Sequence, residues 1–273
     1  MSTITEAAAR EAVPAAERWT DRVNILGVGV SAVTLSGALA QFDRWIVAGA
    51  RHYVCVADVH AIMQSRWSET FRRIHNNAGM VTPDGMPLVR LAQFEKGRDA
   101  VDRVYGPDLL VATCAHSIAR RYRHFFIGGG PGVANGLARR MTEHFPGLHI
   151  AGTHMPPFRP TGADEDDEIV RIINDAHPDF VWVGLSTPKQ EHWMAKFRPR
   201  LNAPILLGIG AAFDFHSGNK PQAPKFIRRS GFEWLFRLAT EPKRLWPRYR
   251  RVIPQFLYLL ARQQLGLEKF PID

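Results

Sequence analysis

A chain of 273 residues is long enough for one large domain or two small ones, and 45% hydrophobic with 22% charged residues excludes extended disorder. Lys and Arg number 35 against 26 Asp and Glu, so the formal charge of +9 points to an anionic partner: nucleic acid, anionic lipid or a phosphorylated small molecule. The two cysteines, Cys55 and Cys114, make neither a disulfide framework nor a metal site, which fits a reducing cytosol.

Residues 1–20 are rich in Ala and Glu, lack the apolar core of a secretory signal and read as a loose leader. Arg22–Gly29 is predicted as a strand, and Leu35, Leu39, Phe42 and Ile46 then recur at helical spacing. A second strand over His52–Ala57 leads into a helix through Met63, Trp67, Phe71 and Ile74. Met80–Val81 is a short strand before the turn Pro83-Asp84-Gly85. His124–Ile127 runs into a glycine turn and a helix, and His149–Gly152, Phe180–Gly184 and Ile205–Ile209 complete the strands. Alternation on this scale predicts a parallel α/β sheet covered by helices on both faces, with ligands in the loops beyond the C-terminal strand ends. After about Gly231, Trp234, Trp246 and Tyr249 interleave with Arg237, Lys243, Arg244, Arg248, Arg250 and Arg251. The expected organisation is a leader over 1–20, one domain over 21–230 and a basic, aromatic helical appendage over 231–273, with Pro242 and Pro247 breaking any single helix. The run Val252–Ala261 is interrupted by Pro254 and falls short of the roughly 20 residues that cross a bilayer, so any membrane contact lies along the surface.

Gly27-Val28-Gly29 lacks the third glycine and the later acid of a dinucleotide fingerprint and reads as a tight strand–helix turn. Gly128-Gly129-Gly130-Pro131-Gly132 opens a helix whose backbone N–H groups suit phosphate. No Gly-Lys-Ser/Thr ending follows, so it is not a nucleoside-triphosphate loop, and phosphate contact and close packing both stay open. Pro83 and Gly85 would lift the Asp84 carboxylate to the sheet's ligand edge, where it can serve as a general base; an ordinary turn acid is the plainer reading. Asp58 and His60 follow the second strand and either line the same rim or cap the next helix and face solvent. Beyond Gly184, Lys189 and Gln190 sit at a helix start suited to phosphate, carbonyl or hydroxyl groups. Asp214 ends the apolar run Ile205–Phe213, facing ligand or anchoring its own turn. The 11 histidines show no metal-ligand spacing, and Asp164–Asp167 reads as acids at a helix start rather than a metal motif. Arg237, Arg244 and Arg248 at i, i+7 and i+11 align approximately on one helical face, and guanidinium groups grip phosphate oxygens in pairs. The aromatic and leucine residues around them suit an interfacial helix or a dimer contact.

Six blocks occur in a fixed order: PDGMP at 83–87, VYGPDLL at 104–110, GGGPGVA at 128–134, FPGLHIAG at 145–152, PDFVWVGLSTPKQEHW at 178–193 and the segment from Gly208 to Tyr249. In these the chain resembles the WecG/TagA/CpsF family of bacterial glycosyltransferases over about Asn24–Tyr249. The resemblance implies a Rossmann-like domain that moves a hexose or N-acetylhexosamine from a UDP-sugar to a polyprenyl-diphosphate-linked sugar, in surface or exopolysaccharide biosynthesis. Inversion at the sugar, no required metal and no other cofactor are implied as well. Asp84 falls on the family's base, Gln190 near donor sugar and nucleotide, and Arg237, Arg244 and Arg248 in the basic appendage that neutralises the donor diphosphate. Asp58, His60, Gly128, Gly129, Gly130, Gly184, Lys189 and Asp214 complete the expected donor site. Where family members often carry Thr-x-Asn, this chain has Cys55-Val56-Ala57 followed by Asp58 and His60, and Ser186-Thr187-Pro188 replaces the usual Gly-Ala-Pro, which leaves the donor sugar open. The implied location is the cytoplasm, peripherally on the inner face of the plasma membrane through the appendage; a homo-oligomer stays open. A non-catalytic nucleotide-sugar or lipid-binding protein is the alternative. A nucleic-acid partner is disfavoured, because the basic excess sits near the chain's end rather than on a nucleic-acid module.

Overall fold

Consecutive apolar residues, rather than alternating ones, mark strands covered on both faces. The computed structural model describes residues 18–157, 159, 161–210, 212–217, 223–224, 227 and 230–272, so the leader expected over 1–20 lies outside it up to residue 17. The chain enters through a hairpin, Arg22–Ile25 (β1) and Val28–Ser31 (β2), and then Leu35–Val47 (α1). His52–Ala57 (β3), Val59–Trp67 (α2), Glu69–Asn77 (α3), Met80–Pro83 (β4), Met86–Lys96 (α4) and Gly106–Arg120 (α5) follow. Arg123–Gly128 (β5), Val133–His144 (α6), His149–His154 (β6), Ala163–Asp175 (α7), Phe180–Gly184 (β7), Lys189–Phe197 (α8), Ile205–Gly208 (β8) and Ala212–Ser217 (α9) complete the α/β unit. Glu233–Thr240 (α10) and Pro242–Gln264 (α11) form the C-terminal part.

Six strands pair in parallel in the order β4-β3-β8-β7-β5-β6. Alternate residues feed opposite cores: Cys55, Phe125, Val181 and Leu206 pack on the side of the hairpin, α2 and α8, whereas Val54, Phe126, Trp182 and Leu207 pack on the side of α1, α5 and α6. This is the Rossmann-like sheet covered on both faces that the sequence predicts. From β3 the chain steps outward to β4, and every later strand lies on β3's other side. Loops therefore diverge at the C-terminal ends of β3, β4 and β8, where such sheets bind ligands.

Three local expectations are corrected. Arg22–Gly29 is a hairpin rather than one strand, and Gly27 belongs to its turn rather than to a strand–helix turn. Leu26 (φ 51°) and Gly27 (φ 84°) are both left-handed, as a two-residue hairpin turn needs, and Asn24 Oδ1 accepts the Gly27 N–H at 2.9 Å. The helix expected through Met63–Ile74 divides at Ser68, whose hydroxyl accepts the Phe71 N–H and so starts α3 afresh. Pro247 and Pro254 lie inside α11 instead of ending it, and Pro242 occupies its first turn, where no N–H bond is lost. Burial sustains that helix: Leu245, Val252 and Phe256, at i, i+7 and i+11, form its inward stripe, and α11 packs on α2. Beyond it, Phe270 is buried, with Asn24 donating to its carbonyl at 2.7 Å.

Gly128 tests the closeness of β5 and β7: it has φ 112°, and a Cβ there would lie 2.7 Å from the Gly184 carbonyl oxygen. Gly128→Ala is expected to lower unfolding free energy in urea by roughly 2 kcal/mol or more, and Gly162→Ala, which meets open space, by less than about 0.5 kcal/mol.

Candidate active site

The site begins where β3 and β4 end side by side, Ala57 opposite Pro83. The ladder runs one residue further, with the Asp84 N–H donating to the Ala57 carbonyl at 2.9 Å, and this fixes the backbone that carries the Asp84 carboxylate. Asp58 caps α2 through Oδ1, which accepts the Ala61 N–H at 2.9 Å, and still lines the cleft; the capping and rim readings describe one residue. Gln190 reaches the floor from α8. Gly208 and Gly210 leave space for it, since a Cβ on either would stand 3.1 Å from its amide atoms. Its Nε2 donates to Glu191 Oε1 at 3.0 Å, while its Oε1 is buried without a hydrogen-bond partner.

Two cavities meet here. A polar cleft of about 190 Å³ is lined by Asp58, His60, Asp84, Gln190, Arg237, Arg244 and Arg248, among others. An apolar cavity of about 290 Å³ is walled by Met86, Pro87, Trp234, Val252, Ile253 and Phe256. Asp58, His60, Asp84 and Arg237 border both, so the Asp84 carboxylate lies on the partition between a polar and an apolar chamber.

The electrostatics follow from this confinement. Burial pushes the Asp84 carboxyl up to about 7; the Arg103 guanidinium opposes that, and Glu233 and Asp58 reinforce it. Burial holds the His60 imidazole below its ordinary value despite Asp58, so it is neutral at pH 7, and its Nδ1 has no hydrogen-bond partner. Burial likewise raises the Glu191 carboxyl to about 7. Of the three arginines, Arg244 pairs with Glu241 at 2.6 Å. Arg237 makes no ion pair among the described residues, and Arg248 Nε is buried without a hydrogen-bond partner. They do not share one helical face: the chain breaks at Glu241, so Arg237 on α10 and Arg244 and Arg248 on α11 converge from two helices.

Several expected residues lie elsewhere. Gly128, Gly129, Gly130 and Gly184 are absent from the cleft lining. Gly129 N–H donates to the Gly184 carbonyl at 2.9 Å, a Cβ on Gly129 would stand 2.7 Å from Val133 and one on Gly184 would strike the Phe213 ring at 2.5 Å, so close packing constrains Gly128, Gly129 and Gly184, whereas Gly130 has room for a side chain. Lys189 is exposed at the start of α8. Asp214 falls within α9, but its side chain lies outside the described residues. Acids of the Asp164–Asp167 cluster head α7 and pair with basic groups: Glu165 with Arg159, Asp166 with Lys196 and Asp167 with Arg200. Among the described residues no group of three or more His, Cys, Asp or Glu side chains is placed to hold a metal. Sequence reasoning missed Arg103, Tyr105 and Glu233. Arg103 immediately precedes the VYGPDLL stretch, Tyr105 is its second residue and Glu233 precedes Trp234, but only the fold brings them together beside Asp84.

A parallel sheet whose crevice sets a half-buried acid beside a cationic wall is equipped for acid–base chemistry on a ligand held at the strand ends. The model of the "Glycosyl transferase WecG/TagA/CpsF family" matches residues 23–270, and the chain belongs to that family of glycosyltransferases. A relative from Bacillus spizizenii (strain ATCC 23059 / NRRL B-14472 / W23) is 27% identical over 217 residues, 80% of this chain and 81% of its own length. A relative from Staphylococcus aureus (strain NCTC 8325 / PS 47) is 22% identical over 254 residues, 92% of this chain and 96% of its own. Both are named N-acetylglucosaminyldiphosphoundecaprenol N-acetyl-beta-D-mannosaminyltransferase.

The Asp84 carboxyl is expected to titrate near pH 7 in carboxyl NMR of aspartate-labelled protein, apart from the other aspartates, with its signal identified by loss in Asp84→Asn. A midpoint below 5 would contradict the described burial.

Proposed function

We propose that the enzyme transfers a hexose or N-acetylhexosamine from a UDP-sugar to a hydroxyl of a polyprenyl-diphosphate-linked sugar, with inversion and with Asp84 as general base. The observation that carries this reading is the position of Asp84 on the partition between the arginine-walled polar cleft and the apolar cavity. The relatives' name, which specifies a diphosphoundecaprenol-linked acceptor, supports the same acceptor class here.

In this mechanism the acceptor hydroxyl gives its proton to Asp84 as its oxygen bonds to the anomeric carbon. The bond from that carbon to the diphosphate oxygen breaks on the opposite face, and its electron pair leaves with UDP. A base that titrates near the working pH is partly ionised yet strong enough to take the proton, the compromise that general-base catalysis favours. Arg237 and Arg248, the less committed cations, receive the departing diphosphate, with Arg244 beside them. Guanidinium groups fixed in a sheltered cleft stabilise developing negative charge without rearranging during the reaction, the role a divalent ion fills elsewhere. Gln190 offers its unpartnered Oε1 to a donor hydroxyl or amide. Asp58 and His60 stand where they would contact the donor sugar, and the reading needs no metal or other cofactor.

The appendage would also meet the membrane. Among the described residues no helix is long and apolar enough to cross one. On α11, however, Trp246 and Leu257 are exposed beside Lys243, Arg250 and Arg251, and Trp234 and Leu235 are exposed on α10. Apolar side chains flanked by cations suit an anionic lipid surface, where each cation contributes about 1 kcal/mol. In this reading the enzyme works peripherally on the inner face of the plasma membrane.

Asp84→Asn is expected to cut kcat by roughly 10²–10⁴-fold while changing UDP affinity less than about threefold. Arg237→Ala or Arg248→Ala should weaken UDP binding by about tenfold each. The assay supplies UDP-sugars and a polyprenyl-diphosphate-sugar acceptor and reads released UDP together with extended lipid. Binding of UDP-sugar without turnover would favour a non-catalytic binder; activity abolished by EDTA and restored by magnesium would overturn the metal-free reading. Binding to vesicles containing anionic lipid is expected to fall steeply between low and high salt, and Leu257→Glu to weaken it about tenfold, measured by co-sedimentation.

A further inference from the structure

We infer that Glu233, on the appendage helix α10, is a positioning residue that acts through Arg103 to set how tightly Asp84 holds a proton. The inference rests on the reading of Asp84 as the base. One nitrogen, Arg103 Nη2, serves both acids: it lies 2.6 Å from Glu233 Oε2 and 3.2 Å from Asp84 Oδ1. Arg103 Nε donates to the Asp84 backbone carbonyl, and the guanidinium stacks over the Tyr105 ring at 4.1 Å. The Tyr105 hydroxyl donates to Glu233 Oε1 at 3.2 Å, which orients the second acid. The Arg103 and Glu233 side chains are 13% and 12% exposed, so water and salt screen their charges weakly.

The consequence is a division of one positive charge. Burial is the main force raising the Asp84 pKa and the Arg103 guanidinium the main one lowering it, so a group that draws on Arg103 leaves Asp84 the stronger base. Glu233 takes the closer share of the guanidinium and adds its own negative charge, leaving Asp84 basic while Arg103 still holds its backbone. Other charged and titratable groups border the two chambers: Asp58 and His60 at the start of α2, Tyr105, Arg237 on α10, Glu241 at the break between the helices, and Arg244, Arg248 and Tyr249 on α11. Glu233 differs from them in bonding directly to the guanidinium that touches Asp84. Because it rides on α10, the strength of the base depends on the appendage being docked.

The test is the pH dependence of kcat/KM for the full-length enzyme and for Glu233→Gln, Glu233→Asp, Asp84→Asn and Asp84→Asn/Glu233→Gln. Loss of the Glu233 charge lowers the Asp84 pKa, so the acid limb of Glu233→Gln is expected to move to lower pH by about one unit, with a plateau several-fold lower. Glu233→Asp, which keeps the charge, should hold the limb near its original place. In the Asp84→Asn background, Glu233→Gln should cost no more than about twofold further. An unmoved limb in Glu233→Gln, or a full independent loss in the double variant, overturns the inference and leaves Glu233 as a structural latch. Near-normal turnover by Asp84→Asn would instead overturn the base assignment itself.

Discussion

Keeping a carboxylate short of water beside a cation, without letting the cation neutralise it, is the constraint on which this site depends. An isolated buried carboxylate takes up a proton; one paired with a single arginine loses its basicity. Asp84 sits between these limits, burial raising its pKa to about 7 against the pull of Arg103. Each neighbouring feature serves that balance. The β3–β4 ladder holds the backbone, the apolar wall from α11 restricts water, and Glu233 competes for the guanidinium.

The same constraint explains why the chain needs α10 and α11. The sheet edge alone supplies Asp58, Asp84 and Gln190, polar groups at the end of an open crevice. Arg237, Arg244, Arg248 and most of the apolar wall come from the two C-terminal helices, which the fold seats over that crevice through buried Leu245, Val252 and Phe256. The break at Glu241 matters chemically as well. It turns a row of arginines along the sequence into two sets facing one cleft.

Much of this was legible in the chain, for physical reasons that can be named. Continuous apolar runs at His52–Ala57, Phe180–Gly184 and Ile205–Gly208 give parallel strands, because burial on both faces removes the alternation of a one-sided sheet. Asp84 was readable as a rim residue because a Pro-Asp-Gly turn ends its strand. Other features were not local. The glycines at 128–130 open a helix as a phosphate-binding turn would, but the close approach of Gly184 to Gly128 and of Val133 to Gly129, which no local pattern announces, shows that packing constrains the first two. Pro247 looks like a helix breaker until the buried stripe of α11 is seen to outweigh one lost backbone bond. Arg103 and Glu233 are 130 positions apart, and neither carries a motif of its own.

A mechanism that divides one arginine between two acids also bears on where the enzyme works. Free in solution, a transferase with an accessible base and a bound activated sugar would spend donor on water. Here the basic groups on α10 and α11 that face the cleft sit on the same helices as the aromatic and aliphatic residues exposed outward. Pressing the outer face of these helices against lipid would hold the inner face against the crevice, which keeps Glu233 on Arg103 and the apolar wall closed beside Asp84. Under the proposed function, docking and base strength would be linked through one pair of helices, and the proposed lipid-linked acceptor would be within reach where that linkage is tightest.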